Sequence, residues 1–134
     1  MGWDISVIDP NTKETCLSET QHALKGGSYI VGELGDDNTF TPGTKELWLS
    51  VTHNYNKYFF EVLGDSLEFL DGKTVKETLE KLRKATADLA KKYDNPTVSE
   101  RYWDATPGNA LKALQDLVQL AEMAPENAVW NIWG

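Results

Sequence analysis

Cysteine is almost missing from this chain: Cys16 is the single thiol among 134 residues, so no internal disulfide is possible. That excludes a disulfide scaffold and points to a reducing compartment, with the cytosol as the expected location. Cys16 has no histidine beside it in sequence and reads as an inert thiol. Long apolar runs are also lacking. No stretch of about 20 apolar residues occurs, and the start, Met1-Gly2-Trp3-Asp4-Ile5-Ser6-Val7, alternates as a strand rather than reading as a leader. No membrane partner is expected.

Basic residues are scarce, 13 against 21 acidic ones, for a formal charge of −8. A field of that sign repels phosphate backbones and anionic lipid, which disfavours direct nucleic-acid binding and favours basic or neutral partners. The acids are scattered, Asp36 and Asp37 being the adjacent pair, as on a solvated surface rather than in the ordered rows of a phosphate mimic. Histidine is limited to His22 and His53, with no Cys pair or His-Glu-x-x-His around them, so no zinc signature is present. The loop acids lack calcium-loop spacing. A phosphate-binding glycine loop, a dinucleotide fingerprint and a Gly-x-Ser-x-Gly elbow are all missing, and neither cofactor nor metal is expected.

What the chain does contain is organised around residues 45–64, where the hydrophobic period changes. Leu47, Leu49 and Val51 alternate with Glu46, Trp48, Ser50 and Thr52, the pattern of a strand with one aliphatic face. From Tyr55 onward, Tyr55, Tyr58, Phe59 and Val62 follow helical spacing, with Asn54 as the expected N-cap and Gly64 at the C-terminal cap. Upstream, Trp3, Ile5 and Val7 predict a strand that turns at Asp9-Pro10-Asn11-Thr12 into a short return strand at 13–17. Residues 18–25 read as loop and 26–32 as a short β run. Residues 33–44 read as an exposed loop tethered by Phe40, with a long hairpin between 28–32 and 45–52 as the economical pairing.

Downstream, 65–70 reads as a helical turn or a brief extended piece. Thr74-Val75-Lys76-Glu77 is a capping box, and Val75, Leu79, Leu82, Thr86, Leu89 and Tyr93 continue as one apolar stripe up to Asp94-Asn95-Pro96. Thr106-Pro107 opens a last helix whose buried face is Ala110, Leu111, Leu114, Leu117, Val118 and Ala121. Gly108 in its first turn costs about 1 kcal/mol against alanine, which implies close packing or an accessible backbone. The tail Val129-Trp130-Asn131-Ile132-Trp133 is too apolar to float free and should dock or add an edge strand; it could also meet a partner chain, which leaves the oligomeric state open. The fold these readings predict is one α+β domain, a small antiparallel β-sheet of three to five strands packed against three helices at about 54–63, 74–93 and 106–123.

Two helix starts coincide with polar and aromatic residues: His53-Asn54-Tyr55 before one helix and Tyr102-Trp103-Asp104-Ala105-Thr106 before another. Helix N-termini present unsatisfied N–H groups and hold polar ligand groups readily. On a shared rim, Tyr55, Trp103 and Trp48 would supply stacking walls, while His53, Asn54, Asp104 and Asn109 would supply directional hydrogen bonds, the composition of a small-molecule pocket. The bland alternative is a packing motif in which Asn54 and Thr106 are caps, Trp103 is a plug and His53 is structural. Binding of a host protein or small polar ligand is the leading function. A small hydrolase or transferase with His53 as general base and Asp104 orienting it is the catalytic alternative, and an acidic phosphate-mimic inhibitor is the third.

Three strings also carry a resemblance: Gly26-Gly27-Ser28-Tyr29, then Glu46-Leu47-Trp48-Leu49 leading to Thr52-His53-Asn54-Tyr55, then Tyr102-Trp103-Asp104-Ala105-Thr106-Pro107-Gly108-Asn109-Ala110. In this order they resemble an uncharacterised family of small proteins encoded in phages, prophages and bacterial genomes. Its members carry Gly-Gly-Thr-Tyr, Trp-Leu-Asn-Ile-Thr-Tyr-Asn-Tyr and Tyr-Trp-x-x-Thr-x-Gly-Asn-Ala segments. The likeness spans about residues 3 to 124, and this chain departs from it at Ser28, Ser50 and His53. It implies a phage-associated setting, action on host machinery, and a linked cluster of Asn54, Tyr55, Trp103 and Asn109, without implying a reaction.

Overall fold

A computed structural model describes residues 2–27 and 30–134. In chain order the elements are β1 (Gly2–Ile8), β2 (Leu17–His22), β3 (Gly32–Leu34), β4 (Phe40–Pro42), β5 (Thr44–Glu46), β6 (Trp48–Thr52), α1 (Asn56–Leu63), α2 (Val75–Lys92), α3 (Pro107–Met123) and β7 (Val129–Trp133). Single 3-10 turns at His53–Tyr55 and Leu67–Leu70 precede α1 and α2.

β1 is the centre of a three-stranded antiparallel sheet, with β6 on one side and the C-terminal tail, β7, on the other. The register pairs Trp3 with Val51, Ile5 with Leu49 and Ile132, and Val7 with Trp130, so the alternating apolar residues of all three strands share one face. That face joins residues of α1, α2 and α3 in a single buried cluster. The expected α+β architecture and the aliphatic row Leu47, Leu49 and Val51, all fully buried, are what forms. Trp130 is buried with its indole nitrogen donating to Thr78 Oγ1 at 2.8 Å, which gives the polar handle of a core tryptophan a partner. No helix of the described residues is long and apolar enough to cross a membrane.

Several local expectations are corrected. The hairpin between 28–32 and 45–52 does not form: β6 pairs with β1, and Ser28 and Tyr29 lie outside the described residues. The strand at 45–52 divides at Leu47, whose N–H donates to the Cys16 carbonyl and whose carbonyl accepts from Val7 N–H, each at 2.9 Å. Its first part, β5, pairs instead with β2, a strand where a loop was expected. β2 is Leu-Ser-Glu-Thr-Gln-His with no buried face, so no hydrophobic period could announce it; its ladder is helped by a 2.7 Å hydrogen bond between His22 Nε2 and the Glu46 carbonyl. The return strand at 13–17 is reduced to a bridge between Ile8 and Thr15. The supposed loop 33–44 contains the β3–β4 ribbon, closed by Gly35 N–H donating to the Thr39 carbonyl at 2.8 Å.

On the helices, Gly64 takes the left-handed C-cap conformation, with φ 75°, that glycine adopts without a Cβ penalty. Asn54 is not the N-cap, because a 3-10 turn precedes α1: Thr52 caps that turn by accepting from Asn54 N–H at 3.3 Å, and Tyr55 stands at the N-cap of α1 without a side-chain cap bond. α2 buries Val75, Thr78, Leu82, Ala85 and Leu89, while Leu79, Thr86 and Tyr93 are half-buried. The helix is rotated from the purely apolar stripe because Thr78 satisfies itself on the Val75 carbonyl at 2.7 Å and receives the Trp130 indole. α3 begins with Thr106 accepting from Asn109 N–H at 3.2 Å. Gly108 is there for packing, since a Cβ would collide with the Thr97 carbonyl.

Candidate functional site

The connection from α2 to α3, residues 93–106, has no regular ladder to satisfy its peptide groups. Side chains from other elements do so instead. Asn54, released from capping, donates through Nδ2 to the Trp103 carbonyl at 2.7 Å. Tyr58 donates its hydroxyl to the Ala105 carbonyl at 3.1 Å. Asn109, buried on the first turn of α3, accepts from Ser99 N–H at 2.9 Å through Oδ1. Its Nδ2 faces Ser99 Oγ at 2.9 Å and the carbonyls of Arg101 and Asp104 at 3.0 Å.

Tyr55 ties in the third segment. Its hydroxyl lies between the Gly27 carbonyl, at 2.7 Å, and the Tyr102 carbonyl, and its one proton serves either. Burial pushes the phenol up to about 12, with smaller contributions from the neighbouring Tyr102 and Asp104. Gly27 has φ +88°, and a Cβ there would stand 2.8 Å from the Tyr55 oxygen, so glycine is required on both counts.

Five of the six sequence-predicted site residues therefore converge, although not all through their side chains. Asn54, Tyr55 and Asn109 use their polar groups. Trp103 contributes its carbonyl, while its half-exposed ring stands edge-on to Tyr102 at 5.0 Å. The Asp104 carboxylate accepts from Arg101 Nε at 3.3 Å and Ser99 Oγ at 3.2 Å. His53 stands apart from this network: its ring packs edge-on against Trp3 at 4.3 Å, and Nε2 is buried without a hydrogen-bond partner among the described residues. No hydrogen bond or ion pair among the described residues joins His53 to Asp104. Trp48 lines a different cleft, on the outer face of the sheet.

Between these segments lies a recess of about 130 Å³, lined in part by Gly27, Tyr55, Ser99 and Asn109. Two lysines and one tyrosine in its wall were not singled out from the sequence. Lys25 places its ammonium 5.4 Å from the centre of the Tyr102 ring, a cation–π contact. Lys112 pairs at 2.6 Å with Asp116, which is fully buried and whose other oxygen accepts from the backbone of Gly26 at 3.1 Å and Lys25 at 3.4 Å. Asp116 thus pins the Gly-Gly segment to α3. A carboxylate four residues after a lysine, among Ala113, Leu114, Leu117 and Leu120, was the available signal.

Chemically, the recess offers ammonium groups and an aromatic face, while the Asn109 carboxamide and the hydroxyls of Tyr55 and Ser99 are already engaged with the protein. Asp116 offsets the charge of Lys112, while no carboxylate among the described residues pairs with Lys25. No group of three or more His, Cys, Asp or Glu among the described residues could hold a metal ion. No family model, curated protein or solved structure matches the chain.

Proposed function

We propose that this chain is a small binding protein, not an enzyme, that takes an anionic or acceptor-rich group of a small ligand or host-protein segment into the recess beside Lys25. The cytosolic location expected from the single cysteine and the phage-associated setting implied by the sequence resemblance belong to the same reading. The observation that carries it is the position of the Lys25 ammonium against Tyr102 in the wall of a recess where Tyr55, Ser99 and Asn109 are held by hydrogen bonds and Lys112 by Asp116. Preorganised walls with one available cation favour recognition of a charged acceptor. The catalytic alternative needs His53 and Asp104 to serve one reacting group. Their separate engagements, His53 on Trp3 and Asp104 with Arg101 and Ser99, favour binding instead.

The test is calorimetric titration with a panel of mononucleotides, dicarboxylates and inorganic phosphate. One or more should bind saturably, and Lys25→Ala should weaken that binding about tenfold, roughly 1.4 kcal/mol, while Arg83→Ala on α2 leaves it unchanged. Failure of every anion in the panel, or equal affinity in Lys25→Ala, would overturn the reading.

A further inference from the structure

Within residues 98–103 the backbone is tied down while the large apolar side chains are left outside. Asn109 holds the Ser99 N–H and the Arg101 carbonyl, Tyr55 reaches the Tyr102 carbonyl, and Asn54 holds the Trp103 carbonyl. A segment fastened only for packing would turn its apolar side chains inward. Here Val98 is 58% exposed, Tyr102 37% and Trp103 49%, and those fractions stand with Lys25 already against the Tyr102 ring and Arg101 against that of Trp103. Val98 and Tyr102 line the recess, and Trp103 adjoins it through Tyr102. Three exposed apolar side chains therefore form part of its rim, on a backbone fixed in place.

Size and charge limit what enters. At about 130 Å³ the recess has the room of about four waters, enough for a carboxylate with its adjoining carbon and too little for a ring system as well. Its lining carries the ammonium groups of Lys25 and Lys112, and the buried carboxylate of Asp116 pairs with Lys112, which leaves a single net positive charge. Asp104, close by, is matched by Arg101. One negative charge balances this set, whereas a cation is repelled and a dianion is left in excess. The remainder of the ligand must lie outside the recess, against Val98, Tyr102 and Trp103, where an apolar group is drawn out of water.

From the single net charge of the recess and the exposed rim of Val98, Tyr102 and Trp103, we infer that the ligand is a small monocarboxylate bearing an apolar group within a carbon or two of its carboxylate. The inference rests on the recess being a site for anionic groups, and the experiment separates the two claims. Titrations followed by amide and indole N–H signals compare acetate with phenylacetate and propionate with 3-phenylpropionate. An uncharged counterpart, 2-phenylethanol, and a doubly charged one, phenyl phosphate, complete the set. The phenyl member of each pair should bind at least about tenfold tighter than its partner, tighter than either counterpart, and should shift the Trp103 indole signal. Trp103→Ala, which keeps the carbonyl that Asn54 holds, and Val98→Ala should each cut phenylacetate binding severalfold without weakening acetate. Both positions are exposed, and the variant that keeps the parental unfolding midpoint decides. The ligand class is overturned if neither phenyl acid binds, if acetate binds as tightly as phenylacetate, if either counterpart matches phenylacetate, or if neither rim variant weakens it. In those cases an anion whose binding still falls in Lys25→Ala leaves the recess reading intact. If phenylacetate binds and Lys25→Ala holds it as tightly as the parent, the recess reading falls together with the class.

Discussion

The inner face of the sheet and the connection between α2 and α3 are both held in place, and by opposite means. The sheet face is fixed by apolar contact: Ile5, Val7, Leu49, Val51 and Trp130 meet the helices and leave water out. The connection is fixed by polar side chains reaching over its backbone, chiefly Asn54, Tyr55, Tyr58 and Asn109. Apolar burial is non-directional and is felt by the whole molecule when disturbed. Hydrogen-bonded fastening is directional and lets one segment open while the rest stays folded. The candidate recess lies where the second kind operates, with a rigid body beneath it.

The contrast can be broken hardest from the core side. Trp130→Ala should cost about 3–5 kcal/mol, read from urea unfolding midpoints, because it leaves a cavity and deprives Thr78 of its indole donor. Gly108→Ala lies at the boundary of the two regimes. Helix propensity alone would make it stabilising by about 1 kcal/mol, but collision with the Thr97 carbonyl should turn it into a loss of about 1–3 kcal/mol. A stabilised variant would show that the connection yields freely.

The remaining changes sharpen the polar side. Tyr55→Phe should cost about 1 kcal/mol at neutral pH. The parent has a further signature: the folded-state phenol is raised to about 12 from an ordinary 10, so its contribution is complete below pH 10 and is lost as pH climbs towards 12. Unfolding midpoints measured between pH 9 and 12, as test conditions, should fall less steeply in Tyr55→Phe than in the parent. Asn54→Ala, at an exposed position, should be mildest, about 0.5–1 kcal/mol, and visible chiefly as faster amide exchange near Trp103.

The apolar regime was the legible one. Alternation in Trp3-Asp4-Ile5-Ser6-Val7 and in residues 47–51 predicts β1 and β6, and the capping box at Thr74 and proline at position 107 mark the starts of α2 and α3. The tail became an edge strand because its alternation matched that of β1. The polar strand β2 and the β3–β4 ribbon left no trace, since with no face to bury they have no period to read. The convergence of residues near 54 and 103 was anticipated from two helix starts, but the roles were not. Asn54 fastens a loop instead of capping, Trp103 acts through its backbone, and the buried Asp116 was hidden in a helix read for its leucines.

The central claim, that the connection is a separately fastened unit, is tested most directly by amide hydrogen exchange in Asn109→Ala. Its loss strands Ser99 N–H and takes one donor from the carbonyls of Arg101 and Asp104, which keep the N–H groups of Asp104 and Thr106. Exchange should accelerate across residues 97–106 while β1, β6 and the middle of α2 keep the protection they have in the parent. Uniform acceleration through the sheet and helices would contradict the account, by showing that Asn109 belongs to the global core.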